Sequence, residues 1–209
     1  MMIDRIEVEA VAKRFANQWI FRNLSLEILP SVGYVILGAN GSGKSTLLQI
    51  LSSYLSPTKG KVNFWNQGKA LLSEEVYRDI SICTPYMELT EEFTLDEMLD
   101  FHLKFQNLVP GFTKERFIDY CYLSDAKDKQ LRHFSSGMKQ RVKLALALLS
   151  DTGAVFLDEP TSNLDRKAIE WYQQMVQLYS QNRIVVVCSN RIEEEYQFCQ
   201  RQIVIEDYK

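Results

Sequence analysis

The nine residues Gly38-Ala39-Asn40-Gly41-Ser42-Gly43-Lys44-Ser45-Thr46 place three glycines, one lysine and three hydroxyls in one short stretch. Glycines let a backbone turn its N–H groups inward around an anion, and a helix that starts there adds the partial positive charge of its N-terminus. Tyr34-Val35-Ile36-Leu37 ahead of the stretch reads as a buried parallel strand, and Thr46-Leu47-Leu48-Gln49-Ile50-Leu51 reads as the first turns of the helix. In that order the chemistry is phosphate binding. Backbone N–H groups of the loop cradle a β-phosphate, Lys44 reaches the β- and γ-phosphates, and the Ser45 hydroxyl is placed for Mg²⁺.

A second group suits the same ligand. Ala154-Val155-Phe156-Leu157 is an apolar strand that runs straight into Asp158-Glu159-Pro160. A carboxylate at the tip of a strand beside a phosphate loop can hold Mg²⁺, the role expected of Asp158. Glu159, one residue on, would face the γ-phosphate and polarise an attacking water.

Composition narrows the setting. The 209 residues suit one domain with an inserted lobe, and a net charge of −3 excludes a strongly basic nucleic-acid binder. No apolar run nears the roughly 18 residues that cross a bilayer. The start of the chain, with Asp4, Arg5, Glu7 and Glu9 among single apolar residues, is unlike a signal peptide. Cys83, Cys121, Cys188 and Cys199 lack metal-ligand spacing and read as free thiols in a reducing cytosol.

The elements that must position these groups follow from periodicity. Ile3 to Ile28 reads as alternating strands around a turn at Asn17-Gln18, with another strand at Lys61 to Trp65. Ile80 to Thr84 reads as a strand that Pro85 ends. Helical texture then begins: Thr94-Leu95-Asp96-Glu97 is a capping box, and Lys114 to Tyr122 and Lys139 to Leu149 are further helices. The parallel-sheet pattern returns at Ala154 to Leu157 and Ile184 to Cys188, bridged by a helix over Arg166 to Tyr179, and closes at Gln202 to Ile205. The expected architecture is α/β: a P-loop NTPase core with a mainly parallel sheet, an N-terminal antiparallel β lobe and a helical insertion over about 86–149. All of it belongs to one domain spanning 1–209, and the short ending after Ile205 reads as leaving no room for a regulatory domain.

With these residues in view, the chain resembles the ATP-binding subunits of ABC transporters, nearly end to end. Phe134-Ser135-Ser136-Gly137-Met138-Lys139-Gln140-Arg141 is similar to the family signature, usually L-S-G-G-Q. Ser162-Asn163-Leu164-Asp165 is similar to the loop that crosses between subunits, and Phe15 falls where the family stacks an aromatic on adenine. The resemblance implies ATP and Mg²⁺ as ligands, with Lys44 and Glu159 catalytic and Ser45 and Asp158 on the metal. It also implies that Ser135, Ser136 and Gly137 open a helix whose N-terminus closes on the nucleotide held by a second chain, in a homodimer or a pair of ATP-binding subunits. The remaining expected partner is a separate membrane-spanning subunit, which would hold the chain at the inner, cytoplasmic face of the membrane; no nucleic-acid partner is expected.

Three departures from the family pattern stand out. Ser136 and Met138 replace glycine and glutamine in the signature. Tyr86, with Glu88 close by, stands where glutamine usually follows the strand. Cys188-Ser189-Asn190 replaces a T-H-D-like triplet, so that Ser189 takes the histidine's place as the expected donor to the γ-phosphate. Neither histidine repairs this: His102 reads as a packed helix residue and His133 as solvent-facing. Tyr86, Phe93, Phe101 and Phe105 lie in the zone that meets the membrane subunit in this family, with lobe core as the other reading of Phe101 and Phe105. Two other functions fit less of the pattern. One is a regulatory subunit that dimerises on ATP and hydrolyses it slowly; the other is a soluble ATPase of this family acting on DNA or ribosomes, which usually has a coiled-coil insertion or tandem domains.

Overall fold

Alternation of apolar and polar residues builds the first layer. In the computed structural model, which describes residues 2–209, Arg5–Phe15 (β1) and Gln18–Ile28 (β2) form an antiparallel hairpin. Ile6, Val8 and Val11 of β1 and Phe21, Leu24 and Ile28 of β2 are buried, while Glu7, Glu9 and Glu27 are not. The second layer starts from continuous apolar runs, which suit strands covered on both faces. It begins with Gly33–Leu37 (β3), followed by the phosphate-loop helix Lys44–Leu51 (α1). Lys59–Asn66 (β4) and Lys69–Ala70 (β5) then complete the antiparallel sheet in the order β2-β1-β4-β5.

After the short helix Ser73–Val76 (α2), the chain enters the parallel sheet again at Ile80–Cys83 (β6). The helical insertion contributes Leu95–His102 (α3) and Lys114–Tyr120 (α4) and leads into Ser136–Leu149 (α5). The expected capping box is present: Glu97 N–H donates to Thr94 Oγ1 at 3.2 Å and Thr94 N–H donates to Glu97 Oε2 at 2.8 Å. Ala154–Asp158 (β7), Arg166–Tyr179 (α6), Ile184–Ser189 (β8), Glu193–Tyr196 (α7) and Arg201–Val204 (β9) complete the order. The fold is thus a P-loop NTPase arrangement, with a parallel sheet ordered β6-β7-β8-β3-β9 and an antiparallel lobe. Several boundaries differ by one to three residues from those read in the sequence, among them those of β4, β6, α4, α5, β7, β8 and β9. The last strand ends at Val204 because Ile205–Tyr208 winds into a 3₁₀ turn, and α5 starts at Ser136 because Ser135 caps it.

Side chains alternate across the parallel sheet and feed two cores. Ile36, Phe156, Val186 and Cys188 pack with α1 and the apolar face of the antiparallel lobe. Val35, Leu157, Val185 and Val187 pack with α5, α6 and the helical insertion. Register then aligns the carboxyl ends of three strands, since Leu37 pairs with Ser189 and Asp158 pairs with Cys188. In open α/β sheets that rim is where ligands bind.

Candidate active site

The phosphate loop leaves β3 at Leu37 and enters α1 at Lys44. Gly43 caps the helix in the left-handed region, at φ 110°, and a Cβ there would lie 2.4 Å from Ile20 Cγ2. Only glycine meets both demands without strain. Ser42 N–H donates to Ala39 O at 3.1 Å, which tightens the turn. The loop is also held from far along the chain: Ala39 N–H donates to Glu206 Oε1 at 2.8 Å, and Lys209 Nζ donates to Ser42 O at 2.7 Å.

Lys44 is buried, and its ammonium lies within the loop. It donates to Gly38 O at 2.9 Å, to Ala39 O at 3.1 Å and to Asn190 Oδ1 at 2.5 Å. Asn190 in turn donates from Nδ2 to Glu159 Oε1 at 2.7 Å. Ammonium on one side and carboxylate on the other fix which way the amide faces. A single side chain therefore joins the phosphate-binding lysine to the acidic strand tip. Glu159 itself has φ 45°, unusual for a residue with a Cβ, and its N–H donates to Cys188 O at 3.0 Å.

Asp158 is only 2% exposed, and its Oδ1 has no hydrogen-bond partner among the described residues. Burial pushes its carboxyl above the usual range, while the bond from the Ser45 hydroxyl acts in the opposite sense. A buried, unpartnered carboxylate oxygen beside a hydroxyl is a donor set that fits Mg²⁺, a hard cation that prefers oxygen. In the loop itself, Ser42 Oγ is also buried without a partner among the described residues.

The remaining expected residues are placed as follows. Ser189 is fully buried, and its Oγ accepts from Ile192 N–H at 3.1 Å. It is the last residue paired in β8, and Asn190, the first beyond the ladder, is the one that reaches Lys44. The signal was available: Asn190 is the polar residue just outside the apolar run, at the carboxyl end of the strand beside β3. Phe15 is 49% exposed at the hairpin end, with the Lys13 ammonium 5.0 Å from its ring centroid. Ser135 caps α5, accepting from Met138 N–H at 3.2 Å, and Ser135 and Ser136 are exposed. Gly137 lies under the loop after the acidic pair, where an added Cβ would sit 3.0 Å from Asn163 O.

Gln140, in the same helix, is buried and donates from Nε2 to Pro160 O at 2.9 Å, a link that sequence patterns did not reveal. His102 shares a hydrogen bond with Ser150 Oγ at 2.8 Å, burial lowers its pKa, and His133 is exposed. A groove of ≈ 680 Å³ lies between the 85–92 segment and Lys139 and Lys143 of α5. Beside it Tyr86 is 85% exposed, and Phe93, Phe101 and Phe105 form an edge-to-face ladder with centroids 5.9 and 5.2 Å apart.

Comparison with known proteins agrees with this geometry. Residues 21–162 match the profile of the ABC transporter family, and the chain belongs to that family. It is 29% identical over 84% of its length to an uncharacterized ABC transporter ATP-binding protein, YcbN, of Bacillus subtilis (strain 168). The chain spans 57% of the length of that relative. It is 26% identical over 99% of its length to the Nod factor export ATP-binding protein I of Burkholderia pseudomallei (strain 1710b), covering 69% of it. Among solved structures, the dimeric MJ0796, a bacterial ABC transporter cassette, superposes with a TM-score of 0.79 at 25% identity, over 95% of this chain and 93% of that one. The molecule is accordingly an ABC-type ATP-binding domain. No helix among the described residues is long and apolar enough to cross a membrane.

Proposed function

We propose that this chain binds MgATP and hydrolyses it between two ATP-binding chains packed head to tail, driving a separate membrane-spanning subunit. The observation behind this reading is the line Lys44–Asn190–Glu159 beside the unpartnered Asp158 oxygen. Lys44 would exchange the Gly38 and Ala39 carbonyls for phosphate oxygens, a charge-assisted contact in a buried setting. Asp158 and Ser45 would hold Mg²⁺, which when bound offsets negative charge on the phosphates. Asn190 fixes one oxygen of Glu159 and leaves the other to orient the attacking water. Phe15, exposed and backed by Lys13, is the adenine platform.

The exposed N-terminus of α5, with Ser135, Ser136 and Gly137, is the surface offered to the nucleotide of the second chain. The groove beside Tyr86 and the phenylalanine ladder is the face offered to the membrane subunit, and the chain would then sit at the cytoplasmic side of that partner. Slow, regulatory turnover is the second reading. One observation favours it: the group that joins Lys44 to Glu159 is the neutral Asn190 amide, while His102 is bonded to Ser150 and His133 is exposed ahead of α5. Phosphate release by the purified protein, against a Glu159→Gln control, tests both. Release well above the control supports hydrolysis; equal release removes it.

A further inference from the structure

One buried carboxyl near the site has no part in the scheme above. Glu195 of α7 is 0% exposed. Its Oε1 accepts from both Thr161 N–H, at 3.2 Å, and Thr161 Oγ1, at 2.8 Å. Its Oε2 is buried without a hydrogen-bond partner among the described residues. Burial pushes the carboxyl above its usual range, against the bonds from Thr161. The helix that holds it is pinned through its backbone, because Tyr172 Oη donates to Glu195 O at 2.8 Å. An acid with both oxygens out of solvent is costly unless it holds something in place.

What it holds is the segment that leaves Glu159. Thr161 is two residues further on, and the intervening Pro160 is held from the other side by Gln140. Glu159–Pro160–Thr161 is therefore gripped between α5 and α7. That grip matters because Glu159 sits at φ 45°. Such a backbone persists only where its surroundings over-determine it.

We propose that Glu195 is a positioning residue for ATP hydrolysis. Through Thr161 it fixes the left-handed turn at Glu159, and so the direction in which that carboxylate reaches Asn190. The role rests on the hydrolysis reading above. Displacing a reacting group by about 1 Å can cost on the order of a hundredfold in rate. Among the described residues Glu195 has no hydrogen bond to the phosphate loop, to Asp158 or to Ser45, so its loss should fall on kcat and spare nucleotide affinity.

The test compares Glu195→Leu, Glu195→Gln and Thr161→Val by calorimetry with MgATP, phosphate-release kinetics and thermal melts. Glutamine keeps the oxygen that Thr161 uses and puts an amide donor where Oε2 lies. The expected result is a kcat about tenfold or more lower for Glu195→Leu, with MgATP affinity within about twofold. Thr161→Val should fall comparably, Glu195→Gln should stay within about threefold of the parent, and the Leu–Val double variant should be no slower than the worse single. Should Glu195→Leu fail to fold, Thr161→Val gives the same reading from the other partner. An unchanged kcat in the folded variants, a fall in affinity parallel to kcat, a Glu195→Gln rate as low as Glu195→Leu, or effects that simply add would each overturn the role. A parent rate no higher than Glu159→Gln would overturn it together with hydrolysis, which separates the two failures.

Discussion

The two rims of the parallel sheet treat buried polar groups in opposite ways. At the amino end, Arg183 lies buried and donates to Thr152 O at 2.6 Å, Thr152 Oγ1 at 2.6 Å and Leu148 O at 2.7 Å. Asp79, also buried, accepts from Gly153 N–H at 2.8 Å and from Ile3 N–H. At the carboxyl end lie all four buried side-chain atoms found without a partner among the described residues: Ser42 Oγ, Asp158 Oδ1, Glu195 Oε2 and Glu206 Oε2. Burying an unpaired polar atom costs about 1–3 kcal/mol. One rim is closed for folding; the other is kept open at the expense of stability, for a ligand or for geometry that chemistry requires.

If that contrast is right, substitutions at the two rims should have separable effects. The largest is expected at the open rim: Glu159→Gln should slow phosphate release by about 10²-fold or more while the melting temperature barely moves. A large loss of stability in that variant would break the division. At the closed rim, Arg183→Met strands several buried carbonyls and should destabilise by about 3 kcal/mol, lowering the melting temperature by roughly 6–12 °C. Its folded fraction should bind MgATP as the parent does, which calorimetry on freshly purified protein would check.

Lys44→Ala comes next, with MgATP affinity weakened by about 1.5–3 kcal/mol for the lost charge-assisted contacts. Unchanged affinity would remove the loop assignment. The smallest effect has the opposite sign. Burial raises the Asp158 pKa more than the Ser45 hydroxyl lowers it. A carboxyl raised in the folded state binds protons more readily folded than unfolded, so its contribution to stability falls as pH rises through that raised value. Asp158→Asn should therefore gain about 1 kcal/mol near neutral pH, with the gain shrinking on acidification as the parent's carboxyl also becomes neutral. Melts across that pH range decide it; a gain that grows toward acid would contradict the open-rim account.

The loop, the acidic strand tip and the Thr94–Glu97 capping box were legible because each is local: residue types at fixed spacing, flanked by the right periodicity. The link of Asn190 to Lys44 was not legible, since the end of β8 is set by pairing with Leu37, which is information from another part of the chain. The burial of Glu195 had no signal in the run Glu193-Glu194-Glu195, where the first two are exposed and the third is fully buried against Thr161. Phe101 and Phe105 have the helical spacing of core residues, yet Phe105 is 66% exposed because α3 ends at His102 and Phe105 falls in the turn beyond it. Periodicity gives a face; packing decides what covers it.

The bonds from Glu206 and Lys209 to the phosphate loop each span 167 positions of sequence. The nine-residue motif is therefore local in its letters and non-local in its support. Long-range closures of this kind form late in folding, because the intervening chain must first be ordered. During synthesis the loop emerges early, but the residues that brace Ala39 and Ser42 are made far later. A partly made chain thus carries the motif without the bonds that brace it in the finished fold.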